Sequence, residues 1–269
     1  MTHMIYVVPS LKAKEKLQSE GKAWAESQGF TYVLRHQRTI QDLMDEYGED
    51  FLVYSSRGPQ IDRPEGSHFF SLNMAELRIQ NLRKGQRDHL LEALMGRGSS
   101  KLPITVLDCT CGFGADAAVA SFGLPTGSRV DALEVSPLLE AVTSWGFSHF
   151  VHKKDDVTAA LRRISLRHGD YRDYLLSDER PVYDVLYFDP MFQRPVEASC
   201  QFQPVRAIME HGGLTRDLIE RALQKARRRV VIKERDFRQL CRDFPEVTLY
   251  GGKYSRIGYA VLECDSWKK

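Results

Sequence analysis

The chain has 269 residues, 42% of them hydrophobic and 28% charged, with a formal net charge of +2 at pH 7. That length suits one large domain, or one domain with a small companion, and the composition is ordinary for a soluble globular protein. A near-neutral balance excludes a generic polyanion binder, and no apolar run approaches the roughly 18 residues that a membrane helix requires.

Five scattered cysteines, an odd number, argue against a disulfide framework and for a reducing, cytoplasmic location. The opening "MTHMIYVVPSLKAKEK" carries a short apolar run without a small-residue cleavage pattern, and reads as a first strand, not a signal peptide. Along residues 1–95 the pattern then predicts a helix over Leu11 to Gln28, a strand at "TYVLR", a helix over Thr39 to Tyr47 and a strand at "FLVYSS". A Pro/Gly-rich turn from Gly58 to Gly66 follows, then "SHFFSL" and a helix from Asn73 to Met95 that carries the basic run Arg78 to Arg87. These residues are expected to form a small N-terminal α/β domain, and "MGRGSSKLP" supplies a linker over 96–103.

Residues 104–269 alternate regularly. "ITVLD", "RVDALE", "ISLRH", "YDVLYFD" and "RVVIK" read as strands, with amphipathic stretches such as Ala115 to Phe122, Pro137 to Phe150 and Leu214 to Lys225 between them. Such alternation implies a parallel sheet covered on both faces. "EVTLYGG" and "IGYAVLEC" are separated by too few residues for a crossover helix, so they are expected to close the sheet as an antiparallel hairpin. Three basic runs, "RIQNLRKGQR", "LRRISLRH" and "KARRR", read either as solvated helix faces or as nucleic-acid contacts.

The stretch "VLDCTCGFGAD" (106–116) admits three readings. Metal is disfavoured: Cys109 and Cys111 are C-x-C, the other cysteines are isolated, and the His149/His152 pair lacks a third ligand, so no metal is expected. There is no Walker sequence. Gly112-Phe-Gly114-Ala-Asp-Ala117 does match G-x-G-x-x-A, with Glu134 placed for a ribose, as an NAD-dependent oxidoreductase would require. A pyrophosphate, however, favours a helix N-terminus without negative side chains. This loop carries Asp108 and Asp116 with no basic residue between them. It suits a cationic ligand such as S-adenosylmethionine, with Glu134 accepting from the two ribose hydroxyls.

The same residues resemble the D-x-x-x-G-x-G motif of class I S-adenosylmethionine-dependent methyltransferases, with Asp108, Gly112 and Gly114 in place. The resemblance implies a doubly wound, mostly parallel α/β sheet with a C-terminal antiparallel hairpin, and S-adenosylhomocysteine as product. "RHGD" (167–170) resembles the segment beside the adenine. "YFDPMF" (187–192) resembles the Asp-Pro-x-aromatic motif of methyltransferases acting on amino nitrogens. An exocyclic base amine is a weak nucleophile because its lone pair is delocalised. A carboxylate (Asp189) and a prolyl carbonyl (Pro190) can accept its two N–H bonds, and Phe192 can stack the base. Asp189 is therefore the candidate catalytic residue.

Over 69–269 the chain resembles the bacterial small-subunit ribosomal RNA methyltransferase J family, which makes N2-methylguanosine. The matching segments are "AELRIQNLRKGQ", "DCTCGFGADA", "FDPMFQ" and "VVIKERD". The chain departs from that family at Ala115 and Val135, each in place of an arginine, at Gln193 in place of a proline, and throughout residues 1–66, as a divergent branch would. The resemblance implies cofactor contacts at Ala115, Asp116, Glu134, Val135, Asp170, Tyr171 and Asp189, and substrate contacts at Lys233 and Arg256. The implied partner is RNA, small-subunit ribosomal RNA foremost. Another base, transfer RNA or a protein glutamine would suit the same amino-directed motif, and a non-enzymatic RNA-binding module would leave Asp189 without a use. The N-terminal region suits either RNA gripping or self-association.

Overall fold

The computed structural model describes residues 4–96, 102–178, 182–190, 213–251 and 257–267. These fall into two compact units, one holding residues 4–71 and 136–150, the other 72–135, 151–190 and 213–267.

In the first unit the chain runs β1 (Tyr6–Pro9), α1 (Glu15–Ser27), β2 (Thr31–Tyr32), α2 (Ile40–Tyr47), β3 (Phe51–Ser55), β4 (Gly58–Arg63) and β5 (Gly66–Phe69). The sheet order is β2-β1-β3-β4-β5; β1 lies parallel to β2 and β3, and the β3-β4-β5 meander is antiparallel. Thr39 and Asp42 form a capping box that starts α2. Leu43 of that helix packs with Val8, Phe51 and Val53 in a buried core. The stretch expected as a turn is instead strand β4, every residue of it buried. Its polar side chains hide the pattern because they pair locally: Gln60 donates to Asp62 at 2.8 Å and Ser55 donates to Gln60 at 3.0 Å.

The chain continues through α3 (Asn73–Arg83), α4 (His89–Met95), β6 (Thr105–Asp108), α5 (Ala115–Gly123), β7 (Arg129–Glu134) and α6 (Pro137–His149). Beyond these lie α7 (Asp155–Leu161), β8 (Ile164–His168), α8 (Tyr171–Leu176), β9 (Val185–Phe188), α9 (Arg216–Lys225), β10 (Arg229–Glu234), α10 (Arg238–Asp243), β11 (Thr248–Gly251), β12 (Gly258–Glu263) and α11 (Cys264–Trp267). The helix expected over 73–95 is two helices, separated by Gly85 at φ 75° and by Asp88, which caps α4. Both are grouped with the second unit, as the division falls at Leu72. Helix α6 is grouped with the first, where it packs on β4.

The second unit is built on a seven-stranded sheet of order β11-β12-β10-β9-β6-β7-β8, parallel except where β12 pairs antiparallel with β10 and β11. Counted from β6, strand order reverses between the first and fourth strands, which is where open α/β sheets bind ligands beyond their carboxyl ends. The two-residue period of β9 and β10 divides their side chains cleanly. Phe188 and Ile232 face an apolar core with Leu175 of α8 and Ile219 and Leu223 of α9. Tyr187 and Lys233 point to the opposite face, where both meet Asp116 of α5.

Within the first unit, Gly146 of α6 sits against Phe70, where an added Cβ would lie inside the contact distance of the ring. Phe70 is itself locked edge-on by Phe147 and Phe150, at 5.6 and 5.5 Å between ring centroids. Gly146→Ala gains up to about 1 kcal/mol of helix propensity but forces an overpacking cost of about 1–3 kcal/mol. A thermal melt is expected to fall by a few degrees; a rise would mean the ring yields freely.

Candidate active site

Asp108 ends β6 fully buried, and its Oδ1 accepts the N–H of Thr110 at 3.1 Å. The loop then turns through Gly112 and Gly114, at φ 54° and 74°, a left-handed region that a side chain strains to enter. Gly114 leads into α5, of which Ala115 is the first residue. From the tip of β7, buried Glu134 accepts the N–H of Gly112 on its Oε2 at 2.9 Å. Val135 follows, its carbonyl accepting from His168 Nε2 at 2.9 Å. A Cβ placed on Gly112 would meet nothing nearer than the Thr110 carbonyl at 3.9 Å, so a ligand can press directly on this backbone. An open glycine face beside two buried carboxylates fits the hydroxyls and positive charge of S-adenosylmethionine.

Asp116 is not the uncompensated acid that the loop sequence implies. Its carboxylate accepts from Arg78 at 2.5 Å, from Lys233 at 2.8 Å and from the Tyr187 hydroxyl at 2.7 Å. Burial raises its pKa, but Lys233 and Arg78 outweigh that and hold it far below the usual carboxylate range. The cations come from positions 38 residues before and 117 after it, so reading the loop alone could not find them. Arg78 also grips Asp88 through two bonds of 2.8 Å.

Asp189 follows β9. Its N–H donates to the Thr110 hydroxyl at 2.6 Å, tying it to the glycine loop, and its carboxylate accepts from Lys233 at 2.7 Å. Register explains the second contact: Ile232 pairs with Phe188, so the next residues, Lys233 and Asp189, are neighbours. Burial and then nearby Asp116 raise the Asp189 pKa, against the pull of Lys233, to about 6. Asp108 is raised well above the ordinary range by burial.

The remaining candidates separate. Asp170 caps α8 and pairs with Arg172 at 2.6 Å. Tyr171 is buried in the apolar core, edge-on to Phe188 with 5.4 Å between centroids. Pro190 directly follows Asp189. Phe192 and Arg256 lie outside the described residues. The basic runs are substantially engaged within the chain: Arg83 with Asp156, Arg87 with Glu92, Arg163 with the Ser121 carbonyl, and Arg228 and Arg229 with Asp184 and Glu263. Arg78, Thr110 and Tyr187 are participants that motif reading missed. Only the alternation of "LYFDP" hinted that Tyr187 shares a face with Asp189. Among the described residues no group of three or more His, Cys, Asp or Glu is placed to hold a metal ion, and no helix is long and apolar enough to cross a membrane.

Comparison with known proteins agrees with this geometry. A protein of Bacillus subtilis (strain 168) named "Uncharacterized protein YpiP" is 28% identical over 230 residues, covering 85% of this chain and 88% of that one. "Ribosomal RNA small subunit methyltransferase J" of Marinobacter nauticus is 28% identical over 193 residues, 71% of this chain and 66% of its own; that of Aeromonas salmonicida is 29% identical over 184 residues, 66% and 71%. A crystal structure of an S-adenosylmethionine (SAM)-dependent methyltransferase from Neisseria gonorrhoeae shares the fold, with TM-score 0.60 and 17% identity over 96% of this chain and 95% of that one. The family model described as "Putative SAM-dependent methyltransferase" matches residues 66–257. With its glycine loop, buried acids and seven-stranded sheet, the chain belongs to that family of S-adenosylmethionine-dependent methyltransferases, and it is related to ribosomal RNA small subunit methyltransferase J.

Proposed function

We propose that this methyltransferase modifies an exocyclic amino nitrogen of a base in small-subunit ribosomal RNA, with guanine N2 the favoured atom. The observation that carries this reading is the position of Asp189-Pro190. It sits at the carboxyl end of the fourth strand, beside the strand-order reversal and bonded to the glycine loop through Thr110. The names of the methyltransferase J relatives support the choice of RNA.

When bound, S-adenosylmethionine supplies an electrophilic methyl group. In this reading Glu134 accepts from the ribose hydroxyls, and the backbone of Gly112, Gly114 and Ala115 lies against the cofactor. Asp108 braces the loop from below through Thr110. The ionised Asp189 carboxylate and the Pro190 carbonyl accept the two N–H bonds of the target amine and turn its lone pair out of conjugation. Orientation of this kind supplies roughly 7–11 kcal/mol in the most favourable cases. No general base is needed, because the amine becomes acidic once methylated and releases its proton to water.

The test is transfer of labelled methyl from S-adenosylmethionine to small ribosomal subunits lacking the modification, with the nucleoside then identified. Label in N2-methylguanosine of the subunit RNA is expected. Label in another nucleoside, or acceptance only by transfer RNA or protein, would overturn the substrate assignment and leave the methyltransferase.

A further inference from the structure

Lys233 was expected to meet the substrate. Its ammonium is instead held between two carboxylates, 2.8 Å from Asp116 and 2.7 Å from Asp189, with the side chain only 15% exposed. Arg78 continues the chain on the far side of Asp116 and ends on Asp88. The charges therefore alternate: Asp88, Arg78, Asp116, Lys233, Asp189. Releasing Lys233 to a phosphate would break two charge-assisted bonds and leave buried carboxylates short of a partner.

We propose that Lys233 is a positioning residue for Asp189, fixing the carboxylate that receives the target amine and coupling it through Asp116 to the first turn of α5. The inference rests on the amino-directed reading for its consequence in catalysis, but the coupling itself concerns the chain alone. A single ammonium bonded to both acids sets their separation, and Tyr187, bonded to Asp116 from the strand that leads into Asp189, closes the frame. Among the described residues, the charged and titratable groups facing Asp189 are Lys233 and Glu234 on β10, Asp116 on α5, Asp108 on β6 and Tyr187 on β9. Lys233 is the cation among them, so its removal leaves Asp189 facing acids.

Lys233→Met keeps the length and removes the charge. Its kcat is expected to fall on the order of 10²-fold with KM for RNA changed less than about threefold, and the acid limb of the kcat profile should move above its wild-type position. Lys233→Arg should recover part of the activity. A raised KM with unchanged kcat and an unmoved acid limb would make Lys233 a substrate contact and overturn the proposal. Carboxyl ¹³C NMR of the free protein tests the coupling without any substrate, the Asp189 signal being assigned by its loss in Asp189→Asn. That titration should shift upward in Lys233→Met, and an unmoved titration would overturn the proposal. A wild type inactive on ribosomal subunits together with a shifted Asp189 titration would discard the RNA reading and keep this one. If Lys233→Met fails to fold, Lys233→Gln is read in the same titration with the same upward shift expected, and Lys233→Arg should leave it near its wild-type position.

Discussion

Asp189→Ala is expected to lower kcat for methyl transfer on the order of 10²-fold or more, while S-adenosylhomocysteine binds within about threefold of wild type. The reasons are geometric. The loop contact uses the Asp189 backbone N–H and the Thr110 hydroxyl, which alanine preserves. Lys233 keeps Asp116 as its partner. What disappears is the acceptor that would orient the amine, so the loss should fall on kcat and not on cofactor affinity. The pH profile gives a second reading. Only the ionised carboxylate accepts two-sidedly, and its pKa is raised to about 6 by burial and then Asp116, despite Lys233. Activity should therefore rise with pH through about 6 in the wild type, and this limb should vanish in Asp189→Asn. Initial rates, calorimetric titration with S-adenosylhomocysteine and a thermal melt separate the effects. Near wild-type kcat in Asp189→Ala would remove Asp189 from the mechanism.

The parts of this site that were legible in the sequence are those set by local backbone chemistry. Gly112 and Gly114 announce positive φ, and Asp108, Glu134 and Asp189 announce themselves as acids at strand ends. The parallel sheet with its terminal antiparallel hairpin followed from strand–helix alternation and one short connection. What stayed hidden depends on pairing across the sequence. Asp116 reads as a bare acid beside a cofactor until α3 and β10 bring Arg78 and Lys233 to it. The run around Arg78 reads either as a solvated helix face or as a nucleic-acid contact until its arginines are seen engaged by Asp88, Asp116, Asp156 and Glu92. Strand β4 was obscured in the same way, because Gln60 and Asp62 satisfy one another inside the first unit. Formal charge along a chain says little about field at a site when the compensating ions lie tens of residues away.

That compensation predicts the largest effect on stability. In Asp116→Asn the carboxylate that lies between Arg78 and Lys233 is removed, with both cations still held in place by Asp88 and Asp189. Two largely buried positive groups then face a neutral amide. Breaking a buried pair from one side costs about 3–5 kcal/mol. At about 2–4 °C per kcal/mol for a chain of this size, the melting temperature should drop by about 6–20 °C. The exposed Arg83–Asp156 pair supplies the contrast: Asp156→Asn should leave the melting temperature close to that of the wild type. The sign of the pH dependence is fixed by the direction of the shift. Asp116 has its native pKa depressed, because Lys233 and Arg78 outweigh its burial. Its contribution is thus fully present above the unfolded carboxylate range, about pH 4. It is lost only as pH falls below that through the native value. The gap in stability between wild type and Asp116→Asn, read from urea unfolding, should be present at neutral pH and narrow in strong acid, as pH falls below about 4. A gap near zero at neutral pH would mean that the two cations relax into solvent when Asp116 is neutral. The network would then be a surface cluster and could not hold Asp189 in place.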